Sequence, residues 1–158
     1  MPRNVDRSRA EIRNRQRRFR IDGSEIARLV GLVLEAEGVG AGEVGIMLVN
    51  NRAIRRYNRE FLGRDYPTDV LSFPQEPDLS GPVPRLLGDI IVSTQMAKER
   101  ASEFGATPER EFMLYLIHGL LHLLGYADHP PSEARRLESR QKLLLKRALA
   151  AEIRCGVA

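Results

Sequence analysis

An uncharged, mostly apolar run at residues 112–124 constrains this chain more than any other feature. A membrane-crossing helix takes about 20 apolar residues. This run has 13, two of them histidines, so it predicts a helix buried in a protein core. Thr107 stands where an N-cap belongs, Pro108 takes the first helical position, and Glu109 and Glu111 place negative charge in the first turn. Gly125 ends the helix. A helix that is apolar on every side must be surrounded by other elements, and the rest of the chain has to provide them.

Those elements are readable in outline. Ile12, Phe19 and Ile21 permit an edge strand. Ser24 is placed to cap a helix carrying Ile26, Leu29, Val30, Val33 and Leu34 at helical spacing, ended by Gly38 and Gly40. Val44 through Val49 reads as a buried strand. Asn50 or Asn51 then caps a basic helix with Ile54, Tyr57 and Phe61 inward and Arg52, Arg55, Arg56 and Arg59 mostly outward, stopped by Gly63. Pro67, Thr68 and Asp69 turn into a strand from Val70 to Phe73, which Pro74 closes. Residues 75–85, with Pro77, Gly81, Pro82 and Pro84, predict a loop, and residues 86–92 a second buried strand. Thr94 caps a helix that ends at Gly105. After Pro130 and Pro131, Ser132 caps a last amphipathic helix reaching about Arg154. There are too few alternating β-α units for a doubly wound sheet. The expectation is an α+β fold: a small mixed sheet of about four strands covered by helices, in one domain over residues 1–158.

Hydrophobic residues at 42% supply enough core to fold without disulfides, and the single cysteine, Cys155, has no internal partner. With no signal-like apolar segment at the N-terminus, a reducing cytoplasm is the expected compartment. The net charge is +4, unevenly spread: residues 1–20 form a basic arm with eight arginines against Asp6 and Glu11. Such a block suits a polyanion or stays solvated without a partner. It has no apolar face for a membrane.

The chain has only three histidines, His118, His122 and His129, all within 12 residues around Gly125. Positions i and i+4 share one helix face, so the first two imidazoles can reach a single ion at ~2.0–2.1 Å. The turn Tyr126-Ala127-Asp128 can return His129 toward the same point. Three imidazoles leave a tetrahedral position open to water, as in catalytic rather than structural zinc sites. One Zn2+ is the expected cofactor. Metalloproteases of the His-Glu-x-x-His type use the glutamate as base. Gly119 stands there instead, and no acid lies between the two histidines. A Lewis acid with arginines nearby suits phosphodiester cleavage better than peptide hydrolysis.

At these residues the sequence resembles the YbeY family of bacterial endoribonucleases. Residues 118–126 follow that family's pattern His-Gly-x-Leu-His-Leu-x-Gly-Tyr. Asn58 with Phe61, the run from Thr68 to Pro74, and Gly88-Asp89-Ile90 resemble two further blocks in the same order. The resemblance implies a zincin-like metal helix. It also implies a single-strand-specific endoribonuclease acting in ribosomal RNA maturation and quality control, with ribosomal RNA and the small ribosomal subunit as partners. The chain departs from the pattern twice. The family's third ligand follows the second after five intervening residues; Asp128 occupies that position and His129 comes one later. We expect His129 to ligate, with Asp128 as the alternative oxygen ligand or as a group orienting an imidazole. The family's functional arginine corresponds to Leu62, so Arg59 and Arg64 become the candidates to place a guanidinium near the ion. Thr68 and Asp69 read as turn residues, and the role of Asp89 stays open. The rival readings are a zinc peptidase and a non-catalytic ribosome-assembly factor with a structural metal.

Overall fold

A computed structural model describes residues 9–76 and 85–156. The first eight residues of the basic arm and most of the expected loop at 75–85 lie outside the described residues. Nine elements follow in chain order: β1 (Arg9–Asn14), α1 (Gly23–Ala36), β2 (Gly42–Val49), α2 (Asn51–Leu62), β3 (Val70–Pro74), β4 (Arg85–Ser93), α3 (Thr94–Phe104), α4 (Pro108–Leu123) and α5 (Pro131–Ala150). The strands form one four-stranded sheet in the order β1-β2-β4-β3. β1, β2 and β4 run parallel, and β3 is antiparallel to β4. This is the α+β arrangement expected, with a mixed sheet of four strands.

Strand alternation separates two packed faces. Val44, Ile46, Leu48, Ile90 and Val92 are buried in the main core with Leu29, Val33 and Leu34 of α1 and Phe112, Leu116, Ile117 and Leu120 of α4. Val49, Leu71 and Ile91 face the other way, against Ile54 of α2 with Tyr57 at the margin. The apolar α4 is thus enclosed, as its composition requires. No helix among the described residues is long and apolar enough to cross a membrane.

β1 is an edge strand, so part of the basic arm is built into the sheet, and Phe19 beyond it is buried. Three helix starts differ from expectation by a residue or two. Asp22 rather than Ser24 caps α1, its Oδ1 accepting from the N–H groups of Ser24 and Glu25 at 3.1 and 3.3 Å. A carboxylate outcompetes a hydroxyl there because it also meets the positive end of the helix dipole. Ser93 rather than Thr94 caps α3, through Met96 N–H at 3.1 Å. α5 begins at Pro131 with no side-chain cap and ends at Ala150, before Arg154. Beyond α5 the chain turns back into the core, burying Ile153 and Cys155.

Burial, reinforced by the charges of Glu109, Glu25 and Asp22, pushes the Cys155 thiol from 9.0 up to about 12. The thiol therefore stays protonated in the fold while the unfolded chain ionises above about pH 9. The native state loses stability as pH rises from there toward 12, by about 1.4 kcal/mol per pH unit at most. Two outcomes are expected: Cys155 resists iodoacetamide at pH 8 until urea is added, and the urea midpoint falls between pH 8 and pH 10. A native thiol alkylated at the rate of the unfolded chain would contradict this assignment.

Candidate metal centre

The position of α4 on the sheet sets the site. Gly119 lies between the two histidines and packs on the sheet. A Cβ there would come within 3.0 Å of Ile90 Cγ2 and 3.1 Å of Val70 Cγ2. A side chain at that position would need Ile90 and Val70 to give by a few tenths of an ångström, so the glycine serves close approach of α4 to β3 and β4. Ser72 of β3 donates its hydroxyl to the Gly119 carbonyl at 3.3 Å and ties the strand to this turn. Beside the sheet-facing stripe, on one flank of the helix, His118 and His122 are only partly buried.

Each imidazole is oriented through its Nδ1. His118 Nδ1 contacts Gln141 Oε1 of α5, and His122 Nδ1 donates to the Tyr126 carbonyl at 2.9 Å. With both Nδ1 protons directed at oxygen acceptors, both Nε2 atoms carry free lone pairs. They face each other at 3.0 Å. Two facing lone pairs repel unless a proton or cation lies between them. Two imidazole nitrogens at a tetrahedral ion would stand about 3.3 Å apart, so the pair fits an ion with little movement. Asp128 Oδ1 completes the group, 3.3 Å from His122 Nε2. The three donor atoms lie within 4.8 Å of one another, the one such group among the described residues. His118, His122 and Asp128 share a cavity of about 350 Å³ with Leu62, Arg64 and Tyr66.

The loop that delivers Asp128 is pinned from a distance. Tyr126 Oη donates to Glu37 Oε1 at 2.6 Å, and Arg140 of α5 donates to Glu37 Oε2 at 2.5 Å. Arg136 lies over the Tyr126 ring, 4.5 Å from its centroid. Burial, together with the hydrogen bond to the Glu37 carboxylate, holds the Tyr126 phenol above its ordinary range, so it stays a donor. Glu37 thus fixes the residue whose carbonyl orients His122.

Residues 11–149 match the family described as endoribonuclease YbeY. The chain belongs to the YbeY family. The endoribonuclease YbeY of Bacillus licheniformis is 42% identical over 132 residues, covering 78% of this chain and 84% of the relative. That of a Geobacillus species is 44% identical over 130 residues, covering 77% and 83%. The solution structure of TM1509 from Thermotoga maritima superposes with a TM-score of 0.61 at 28% identity, covering 90% of each chain.

In this YbeY-family chain the expected site residues separate. His118 and His122 converge as expected. His129 is exposed and stands outside the converging group; Asp128, the alternative, takes the third place. The direction of the pinned turn explains this, since successive residues in it point different ways and only one can face the imidazoles. Arg64 lines the same cavity as His118, His122 and Asp128. Arg59 instead lies 3.8 Å from Asp65, which Arg55 also holds at 2.9 Å, and it is not part of the cavity wall. Thr68 and Asp69 behave as turn residues: Asp69 Oδ1 accepts from Val70 N–H at 2.7 Å, and its carbonyl accepts from Ser93 N–H. Asp89 lies on the opposite face of the sheet, above Gly45, where a Cβ would meet its Oδ1 at 2.1 Å.

Gln141 had no local signal, being 23 residues from His118 on a separate helix. Its acceptor fixes the tautomer and the ring direction of His118. Gln141→Met keeps the volume and removes the acceptor, so zinc affinity is expected to fall by about 10–100-fold. Gln141→Glu retains an acceptor and should bind zinc at least as tightly as the parent chain. Competition against a chromophoric chelator measures both. Unchanged affinity in Gln141→Met would remove this role.

Proposed function

We propose that this chain is a zinc-dependent endoribonuclease that cuts single-stranded RNA, with ribosomal RNA in the small subunit as its substrate and the cytoplasm as its location. The observation that carries this reading is the convergence of two imidazole Nε2 atoms and one carboxylate in an open cavity that Arg64 also lines. His118, His122 and Asp128 are the residues that would hold the ion, and Asp128 replaces His129 in that role. Family membership supports the nuclease activity, and the donor set supports the metal.

A zinc ion in this position supplies Lewis acidity toward a phosphoryl oxygen and makes water more acidic. The chain's own residues do the rest. Gln141 and the Tyr126 carbonyl keep both Nε2 lone pairs directed inward. Two neutral imidazoles and one carboxylate would hold a divalent ion at a net charge of +1, so the residues around it favour an anionic phosphodiester. Arg64 supplies a guanidinium on the same cavity for a phosphate oxygen. Arg52, Arg56 and Arg59 on the exposed side of α2 add a sequence-independent hold on the RNA backbone. Gly119 occupies the position where a metallopeptidase of the His-Glu-x-x-His type carries its base, so peptide hydrolysis by that route has no proton acceptor there.

The test is cleavage of a single-stranded RNA, the same RNA in a duplex, and casein, each with and without chelator. Chelator-sensitive, zinc-restored cleavage of the single strand alone is the expected result. Casein turnover that vanishes with chelator would favour the peptidase, and RNA cleavage untouched by chelator would remove the metal from the mechanism.

A further inference from the structure

The cavity that holds the two histidines and Asp128 includes two side chains of a different chemistry. Leu62 and Tyr66, 50% and 51% exposed, both line it, and Arg64 lies between them in the chain. Other aromatic residues nearby are paired with one another. Phe61 stacks on Tyr57 with centroids 6.2 Å apart and meets the Phe73 ring edge-on at 5.5 Å. Among the described residues Tyr66 has no aromatic partner and no cation over its face. Its backbone is nevertheless held: Asn58, 1% exposed within α2, donates Nδ2–H to the Tyr66 carbonyl at 3.0 Å. Gly63 ends the helix just before in a left-handed turn, φ 69°. The segment is anchored while the ring it presents is open to the cavity.

An exposed aliphatic and an exposed aromatic side chain beside a cationic group match one kind of ligand well. The face of an unpaired nucleobase stacks on tyrosine irrespective of its sequence, and the phosphate next to it meets a guanidinium. In a duplex the base faces are covered by their neighbours. We propose that Leu62 and Tyr66 form the seat for one unpaired base adjacent to the phosphate held at the metal centre, with Arg64 on that phosphate. This rests on the endoribonuclease reading and deepens it, because the seat is what restricts the site to single strands. The contact is uncharged, so its contribution does not change with salt, whereas that of Arg64 does.

The experiment uses the full zinc-loaded chain and a short end-labelled single-stranded RNA, with binding read by stopped-flow anisotropy before cleavage proceeds. A set of the same RNA carries one abasic site at each position in turn. Tyr66→Ala is expected to weaken binding on the order of 10–100-fold with the salt dependence unchanged, and Tyr66→Phe to retain parental affinity. One abasic position should weaken the parent chain while leaving Tyr66→Ala unaffected, because the lost base and the lost ring are the two halves of one contact. Parental binding by Tyr66→Ala, or an equal loss on every abasic RNA, overturns the base seat. A parent chain that shows the abasic coupling yet never cleaves overturns the nuclease reading and leaves the seat standing. A parent chain that cleaves RNA with Tyr66→Ala unaltered overturns the seat alone.

Discussion

Substituting His118 with alanine is expected to abolish zinc loading and RNA cleavage together. His118 supplies one of three donors, and its Nε2 faces that of His122 at 3.0 Å. Without it the remaining imidazole and Asp128 hold an ion no better than many surface pairs, a loss of more than about 100-fold in affinity. The fold should survive, because His118 is only partly buried and the core of α4 is carried by Phe112, Leu116, Ile117 and Leu120. Metal analysis of the purified variant, its thermal midpoint with chelator present, and cleavage of single-stranded RNA decide the matter. A variant that is folded, metal-free and still cleaving would refute the mechanism.

The second large effect is a contrast between neighbours. Asp128→Ala is expected to weaken zinc binding by roughly 100-fold, since it removes the only anionic donor, whereas His129→Ala should leave affinity within about twofold. Asp128→His is the informative third variant. It creates an all-imidazole donor set, should bind zinc at least as tightly, and raises the net charge of the loaded site by one. A site with more positive charge makes nearby water more acidic, so the lower limb of the pH–rate profile should move to lower pH relative to the parent chain. The parental set of two imidazoles and one carboxylate also accommodates manganese and ferrous iron, so each variant should be titrated with all three ions. If His129→Ala loses the metal and Asp128→Ala keeps it, the third donor assigned here is wrong.

These two outcomes separate what local pattern encodes from what it leaves open. The apolar α4, its Thr107 cap, and the pair of imidazoles on one face follow from helical periodicity, which acts within a few residues and needs no tertiary partner. The four-stranded mixed sheet was legible for a similar reason: strands that alternate buried and open positions, bounded by glycine and proline, announce themselves locally. The caps at Asp22 and Ser93 are not legible locally because two polar residues one or two positions apart can each cap, and only the path of the incoming chain chooses between them.

The third donor, the guanidinium at the cavity and the acceptor behind His118 belong to another class. Asp128 and His129 are neighbours in a turn that has no periodicity. Its direction is set by Glu37, 89 residues from Tyr126, and by Arg140 on α5. Arg59 and Arg64 are alike in sequence, and the pairing of Arg59 with Asp65 is what separates them. The sequence alone therefore determined the elements and the two imidazoles, because those depend on interactions within one turn of helix or one strand. Only the tertiary structure decided which side chains meet those imidazoles, because a loop points wherever its distant anchors hold it.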